Sequence, residues 1–147
     1  MPTYTGSANL YRAFKQKMGE GDFDLSADTF KILICDSGYT PDANAHDFVD
    51  DVSGDEITGN GYSRQTVAAT WSASGSSMVF DVADASWTAS GGDIVGRYWV
   101  LFKDAGGADS ANPLVAYGYL DATPADATIS DGDIGQIQIA SGGVFSI

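Results

Sequence analysis

Alternating apolar and polar positions along most of the chain predict short β-strands separated by turns. The segment 134–139 alternates with a two-residue period, which places Ile137 and Ile139 on the same inward face. The segment 29–36, which contains the apolar run 32–35, predicts the first strand, and the segment 95–104, rich in aromatic and β-branched residues, predicts a central one. Turn residues recur about every 8–12 positions. The pattern predicts an all-β, single-domain β-sandwich or jelly-roll over residues 1–147.

Residues 1–20 depart from this period and predict an N-terminal arm and one helix. Leu10, Phe14 and Met18 recur every four residues, which is helical spacing. Residues 7–9 offer side-chain oxygens for an N-cap, and Gly19 is the expected C-cap. The apolar stripe either covers the end of its own sandwich or docks on a neighbouring subunit, and both alternatives stay open.

Local signals elsewhere predict turns and the placement of the tryptophans. Asn60-Gly61 predicts a tight hairpin, because both residues tolerate positive φ. Residues 43–52 predict a short helix or an ordered loop. Trp99 lies in the densest apolar run and is expected in the core. Trp71 and Trp87 border turns, so they are either core residues or exposed platforms on which sugars stack.

The net charge and its distribution along the chain limit the classes of partner that the protein is expected to bind. The formal net charge of −13 disfavours nucleic acids and anionic membranes as partners. Residues 1–17 contain Arg12, Lys15 and Lys17 and no acidic residue, so they carry +3 against −16 for the remainder. This cluster is either a solvated helix face or a docking arm for an acidic partner. Neither a signal peptide nor a membrane span is predicted.

Residues that carry chemistry do not form a recognisable catalytic pattern, so we expect no enzyme and no cofactor. The one histidine, His46, is expected to be a loop residue held by a carboxylate rather than a general base. Cys35, the one cysteine, lies in an apolar run and is expected to be a core thiol. Solvated acidic loops are the expectation for Asp47, Asp50 and Asp51, which are weak calcium candidates without EF-hand spacing.

Ordered short motifs across nearly the whole chain resemble small structural proteins encoded among the head genes of tailed bacteriophages. The motifs that carry this resemblance are residues 10–14, 18–19, 24–25, 28–33, 39–42, 46–48, 56–62, 83–89, 97–101, 113–117 and 143–147. The resemblance implies a structural virion protein without catalytic residues. Within that role we expect a capsid decoration (cement) protein, which binds the outside of the head, stabilises it, and is assembled in the host cytoplasm.

Such a role implies two kinds of partner, the major capsid protein and other copies of the chain. The apolar stripe and the charge split select the expected contact residues, which are Leu10, Tyr11, Arg12, Phe14, Lys15 and Lys17. We expect deletion of residues 1–18 to abolish shell binding and leave a folded sandwich. The alternatives are a tail, neck or fibre-attachment component of the virion and a carbohydrate-binding β-sandwich module.

Overall fold

The computed structural model describes residues 2–140 and 142–147, which form a β-rich structure with one α-helix, as predicted. The elements of this part of the chain are β1 (Thr3–Gly6), β2 (Asn9–Leu10), α1 (Arg12–Glu20), β3 (Phe30–Cys35), β4 (Gln65–Val67), β5 (Ala69–Ser74), β6 (Ser77–Val82), β7 (Ala85–Thr88), β8 (Ile94–Gly96), β9 (Tyr98–Lys103), β10 (Leu114–Tyr119), β11 (Ala127–Ile129), β12 (Ile134–Ile139) and β13 (Phe145–Ser146). Three short 3-10 segments occupy Val49–Asp51, Ser53–Asp55 and Asp109–Ala111.

These strands form four sheets. The largest has five strands in the order β2-β10-β9-β3-β4, and two others have three strands each, β1-β12-β7 and β13-β6-β5. The fourth is the pair β11-β8. Only β1 and β12 run parallel among the pairings of the described strands. Several neighbours are distant in sequence, and β3 pairs with β9 in a register that joins Phe30 to Lys103.

The five-stranded sheet is buried on both faces, which explains why residues 32–35 of β3 are apolar without interruption. Ile32 and Ile34 point into the main core, to which all four sheets contribute residues. Leu33 and Cys35 point the other way, into a second cluster closed by the loop that follows β3. A strand covered on both faces has no polar side, so it reads as continuous rather than alternating hydrophobicity.

The helix begins and ends later than predicted. Residues 7–9 do not cap it, because Asn9 and Leu10 form β2 and pair with Tyr117 and Ala116 of β10. Tyr11 is the N-cap residue and makes no side-chain capping bond. The C-cap is Gly21, not Gly19, and its φ of 86° is the left-handed conformation that glycine adopts without steric cost. Asn9, which local capping rules assign to the start of the helix, therefore belongs to a strand instead.

The predicted Asn60-Gly61 hairpin is wrong. Gly59, Asn60 and Gly61 all have positive φ, but their flanks do not form a strand pair. The turn instead lies against the loop after β7, where Asn60 Nδ2 donates to the Asp93 carbonyl at 2.7 Å and the Ser90 amide donates to the Asn60 carbonyl at 3.0 Å. Asn60 and Gly61 do adopt the left-handed conformation that the sequence favours. Contacts with residues distant in sequence determine which segment this turn packs against.

Two stretches of the chain, one of them the predicted strand 95–104, are each divided into two strands. Residues 65–71 break at Ala68 into β4 and β5, which join different sheets, and residues 95–104 break at Arg97 into β8 and β9. Residues 43–52 form a loop that ends in the 3-10 segment Val49–Asp51, so the ordered-loop alternative describes them better than a helix. Because of each break, the two halves of one stretch belong to different sheets that pack around the same core.

Candidate docking surfaces

The apolar side of α1 covers the core of its own chain, which decides between the two alternatives for the stripe. Tyr11 and Phe14 are 0% exposed, and Leu10 and Met18 pack against the main core. The Phe14 ring lies 4.9 Å from the Phe23 ring, centroid to centroid. Tyr11 and Phe14 were predicted to contact a partner, but complete burial removes both from the available surface.

The opposite side of α1 presents positive charge. Arg12 and Lys15 are exposed and lie one helical turn apart. Lys17 is half-buried, and its Nζ lies 4.9 Å from the centroid of the Phe48 ring. The structure therefore divides the six predicted contact residues into an inner apolar set and an outer basic set. We call Arg12 and Lys15 the basic helix face.

The four basic residues outside the helix are all engaged in salt bridges. Their pairs are Lys31–Asp104, Arg64–Glu56 with Arg64–Asp109, Arg97–Asp126 and Lys103–Asp28, at 2.6–2.9 Å. By contrast, the three helix cations form no salt bridge with any residue that the structure describes. The basic helix face is thus exposed positive charge without a salt bridge to any described residue, on a chain of net charge −13.

The strand pairing and burial of residues 1–18 argue against the expectation that this segment can be deleted without loss of the fold. β1 pairs with β12 over four residues, and β2 pairs with β10. Deletion would also remove the buried rings of Tyr11 and Phe14, and each large buried side chain contributes several kcal/mol (about 3–5 for Phe to Ala). The N-terminal segment is part of the folded body, so its docking role requires surface substitutions instead.

The acidic loop after β3 uses a carboxylate as a backbone cap. Asp51 Oδ2 accepts hydrogen bonds from the amides of Asp47 at 2.7 Å and Phe48 at 3.1 Å. Among the described residues, no three His, Cys, Asp or Glu side chains form a potential metal-binding group, and this includes the calcium candidates Asp47, Asp50 and Asp51. The visible role of Asp51 is to hold the turn that starts the 3-10 segment.

His46 is held in its loop, but not by a carboxylate as predicted. Its Nδ1 lies 3.0 Å from the Tyr39 hydroxyl and accepts from the Asp42 amide at 3.3 Å. An accepting Nδ1 requires the Tyr39 hydroxyl to donate, so the Tyr11 hydroxyl, 2.8 Å from that of Tyr39, donates in turn. This chain of bonds satisfies the buried hydroxyls of Tyr11 and Tyr39 and holds the imidazole in its loop.

Sequence reasoning missed a charged cluster around Arg64. The guanidinium donates to Glu56 Oε2 at 2.6 Å and to Asp109 Oδ1 at 2.8 Å, and its carbon lies 5.4 Å from the Phe102 ring centroid. Arg64 lowers the pKa of the Asp109 carboxyl through these hydrogen bonds. The partners are 8 and 45 residues away in sequence, so no local spacing signals them. The cluster links two loops, and each of its three charged side chains takes part in a hydrogen-bonded ion pair.

The cavity enclosed by the core of the described residues is too small for anything larger than a water. An apolar cavity between Trp87, Ile94 and Ile137 has a volume of about 10 Å³, roughly the space of one water. An open groove of about 600 Å³ lies outside the core, beside Met18, Leu25, Trp71 and other residues. It is a surface feature at the end of α1, not an enclosed site.

The tryptophans give limited support to sugar binding. Trp99 and Trp87 are 1% and 2% exposed, and Trp87 Nε1 donates to the Ser63 carbonyl at 2.6 Å. Burial of Trp99 confirms the prediction for the densest apolar run. Trp71 is partly exposed at the open groove, so it is the one indole that reaches the surface. A platform of several stacked indoles is absent from this arrangement.

Comparison with known proteins returns no match: no protein-family model, no curated protein and no solved structure corresponds to this chain. The resemblance to tailed-phage virion proteins therefore stays a prediction. Within the described residues, no helix has the length and apolar character needed to cross a bilayer.

Proposed function

We propose that this chain is a non-enzymatic structural protein of a tailed-phage virion that decorates the outside of the capsid. The observation that carries the docking part of the proposal is the basic helix face. Arg12 and Lys15 are exposed and without a salt-bridge partner among the described residues, whereas every basic residue outside the helix is paired with an acid. The phage assignment itself rests on the sequence resemblance.

The charge arrangement fits attachment to an acidic protein lattice in one orientation. Residues after position 17 carry a net charge of −16, so the body is repelled by an acidic surface while the helix face is attracted. A contact of two exposed cations is weak by itself. A protein that binds only the expanded lattice nevertheless stabilises it by mass action, and association between copies adds avidity.

We further propose that the sheets stack as a β-sandwich around the main core. This arrangement is supported by the contribution of all four sheets to one set of buried residues. A rigid body of this kind suits a protein that carries its interaction groups on the surface.

A charge-matched pair of variants tests docking. R12Q/K15Q and S86E/T88E each lower the net charge by two, and Ser86 and Thr88 are exposed on β7. Shells stripped of the chain are incubated with each protein, and bound copies are counted on a stained gel. We expect R12Q/K15Q to bind at least about tenfold more weakly, and S86E/T88E to bind like wild type. Equal binding by both variants would overturn the basic helix face as the docking site.

Copy number distinguishes the virion roles. Particles from the genome that encodes the chain are purified, and the chain is quantified against the major capsid protein. A decoration protein is present in hundreds of equivalent copies, whereas a tail, neck or fibre-attachment component is present in a few. Absence from intact particles would contradict a virion role, and quenching of Trp71 fluorescence by a sugar would favour the carbohydrate-binding alternative.

A further inference from the structure

The sheet β13-β6-β5 has an edge strand with the features of a pairing surface. β5 is hydrogen-bonded to β6 on one side, and no strand of the described residues pairs with its other side. Residues 72–76 at the end of the β5–β6 hairpin are exposed. Exposed edges are templates for another strand, and proteins ordinarily protect them with charged residues, prolines or a covering segment.

The hairpin register shows which backbone groups point outward. Gly75-Ser76 is a two-residue turn closed by Ser74 and Ser77, and Gly75 has the positive φ that such turns need. Hydrogen-bonded pairs alternate along the ladder, so residues 70, 72 and 74 bond to β6. The amides and carbonyls of residues 69, 71 and 73 therefore face the open side, and none has a hydrogen-bond partner among the described residues.

The protecting charges that edges usually carry are missing from β5. Residues 65–80 are the longest uncharged stretch in a chain with 20 acidic and 7 basic residues. Within the strands of this sheet, Asp81 is the single charged residue. Two copies that each carry −13 repel over most of their surfaces, and the uncharged sheet is where they can approach without burying like charges.

We propose that β5 of one copy pairs antiparallel with β5 of a second copy across a two-fold axis at Trp71. An antiparallel edge is complementary to itself, as an isologous contact requires. In this register Trp71 faces its own counterpart and Ala69 faces Ala73, which supplies about six backbone hydrogen bonds. The two three-stranded sheets become one sheet of six strands.

Apolar side chains beside the edge add to this contact. The Trp71 ring lies 6.0 Å from the Phe145 ring, centroid to centroid, and Trp71 borders the open groove together with Ile147, which is 68% exposed. Burying such surface between two copies is favourable, at about 25 cal/mol per Å². This inference adds the self-association surface to the proposed function, but solution dimerisation does not depend on capsid binding.

A proline variant tests the edge. Ala73→Pro removes an outward amide that β6 does not use, and edge strands tolerate proline at such positions. Ala108→Pro is the matched control, because Ala108 is exposed and its φ of −74° already suits proline. By sedimentation over a concentration series, wild type and A108P should reach twice the 15.3 kDa of one chain. A73P should stay monomeric, with an unchanged circular dichroism spectrum.

A charge pair tests the register. Thr70 of one copy would face Ser72 of the other at the closest, non-hydrogen-bonded spacing. T70K/S72K places like charges opposite each other and should abolish the dimer, whereas T70K/S72D places opposite charges there and should restore it. Position 70 also lies across from Asp81 of the same chain, so the lysine introduced in both variants faces a carboxylate and the hairpin is kept.

The outcomes separate this inference from the proposed function. A wild-type chain that is monomeric at every concentration, or an A73P protein that dimerises like wild type, overturns the β5 contact. Equal behaviour of T70K/S72K and T70K/S72D overturns the register. An A73P monomer that still binds shells leaves capsid docking through Arg12 and Lys15 intact, and a dimer that binds no shells leaves only the β5 contact.

Discussion

At the scale of single residues, close approach between neighbouring strands limits which side chains fit. Gly118 of β10 lies opposite Trp99 of β9, and a Cβ at position 118 would come within 2.5 Å of the indole. Trp99 is 1% exposed and belongs to the main core, so its ring has no solvent side into which to move. The glycine is required by this contact and not by its backbone conformation.

Gly118→Ala should therefore destabilise the protein. Overpacking of a well-filled core costs about 1–3 kcal/mol, measured as a lower midpoint of urea unfolding. Gly19→Ala is the control of opposite sign, because Gly19 lies in α1 with open space around it and should gain up to about 1 kcal/mol. Equal stability of G118A and wild type would show that the indole relaxes freely.

Cys35 should be chemically silent in the folded protein. Burial raises the pKa of the thiol, nearby Glu56 and Asp55 raise it further, and the residue is 0% exposed. Only the thiolate reacts, so a thiol reagent should label Cys35 after denaturation but not before. Mass spectrometry of protein labelled at neutral pH, with and without urea, checks this. Rapid labelling of the folded chain would contradict the described burial.

At the scale of elements, charged side chains join segments that backbone pairing leaves separate. Arg64 connects Glu56 in one loop with Asp109 in the 3-10 segment Asp109–Ala111, and the Tyr62 hydroxyl also donates to Glu56 at 2.8 Å. The Glu56 side chain is 13% exposed, so the loss of its cation would leave a carboxylate with little water around it.

Arg64→Met should cost roughly 1–3 kcal/mol of unfolding free energy, because it removes one partner of a largely buried pair. Arg97→Met is the matched control. Its partner Asp126 is 46% exposed, so the expected cost is within about 0.5 kcal/mol. Thermal unfolding followed by circular dichroism measures both variants. The interpretation is contradicted if R97M loses as much stability as R64M.

At the scale of the whole molecule, pairing of carboxylates links stability to pH. Hydrogen bonds from Arg64 lower the pKa of Asp109, and those from Lys31 lower the pKa of Asp104, both from an ordinary value of 3.8. A group with a lowered pKa in the folded state stabilises the fold above its unfolded pKa. That contribution is lost as the pH falls through the folded pKa.

The free energy of unfolding should therefore fall below about pH 4. In R64M the fall should be smaller, because the hydrogen bonds from Arg64 are the largest cause of the lowered pKa of Asp109. Urea unfolding of both proteins at a series of pH values between 3 and 7 (roughly the range in which carboxyls titrate) gives the comparison. Parallel pH profiles for wild type and R64M would show that the Arg64 bridge does not carry this dependence.

The sequence alone determined the local character of the chain. Its alternation and apolar runs specify a β-rich fold with one N-terminal helix, a core thiol at Cys35 and a buried Trp99, because burial follows from the side chains themselves. It also determined the acidic body and the cluster of cations near the N-terminus.

Only the tertiary structure decided which segments meet. The pairing of β3 with β9, the parallel pairing of β1 with β12, the use of Asn60 against the loop after β7, and the salt bridges of Arg64 all join residues far apart in sequence. Such contacts depend on how the side chains of the whole molecule pack together, and local sequence patterns do not encode this packing. The same packing buried Tyr11 and Phe14 and left Arg12 and Lys15 outside.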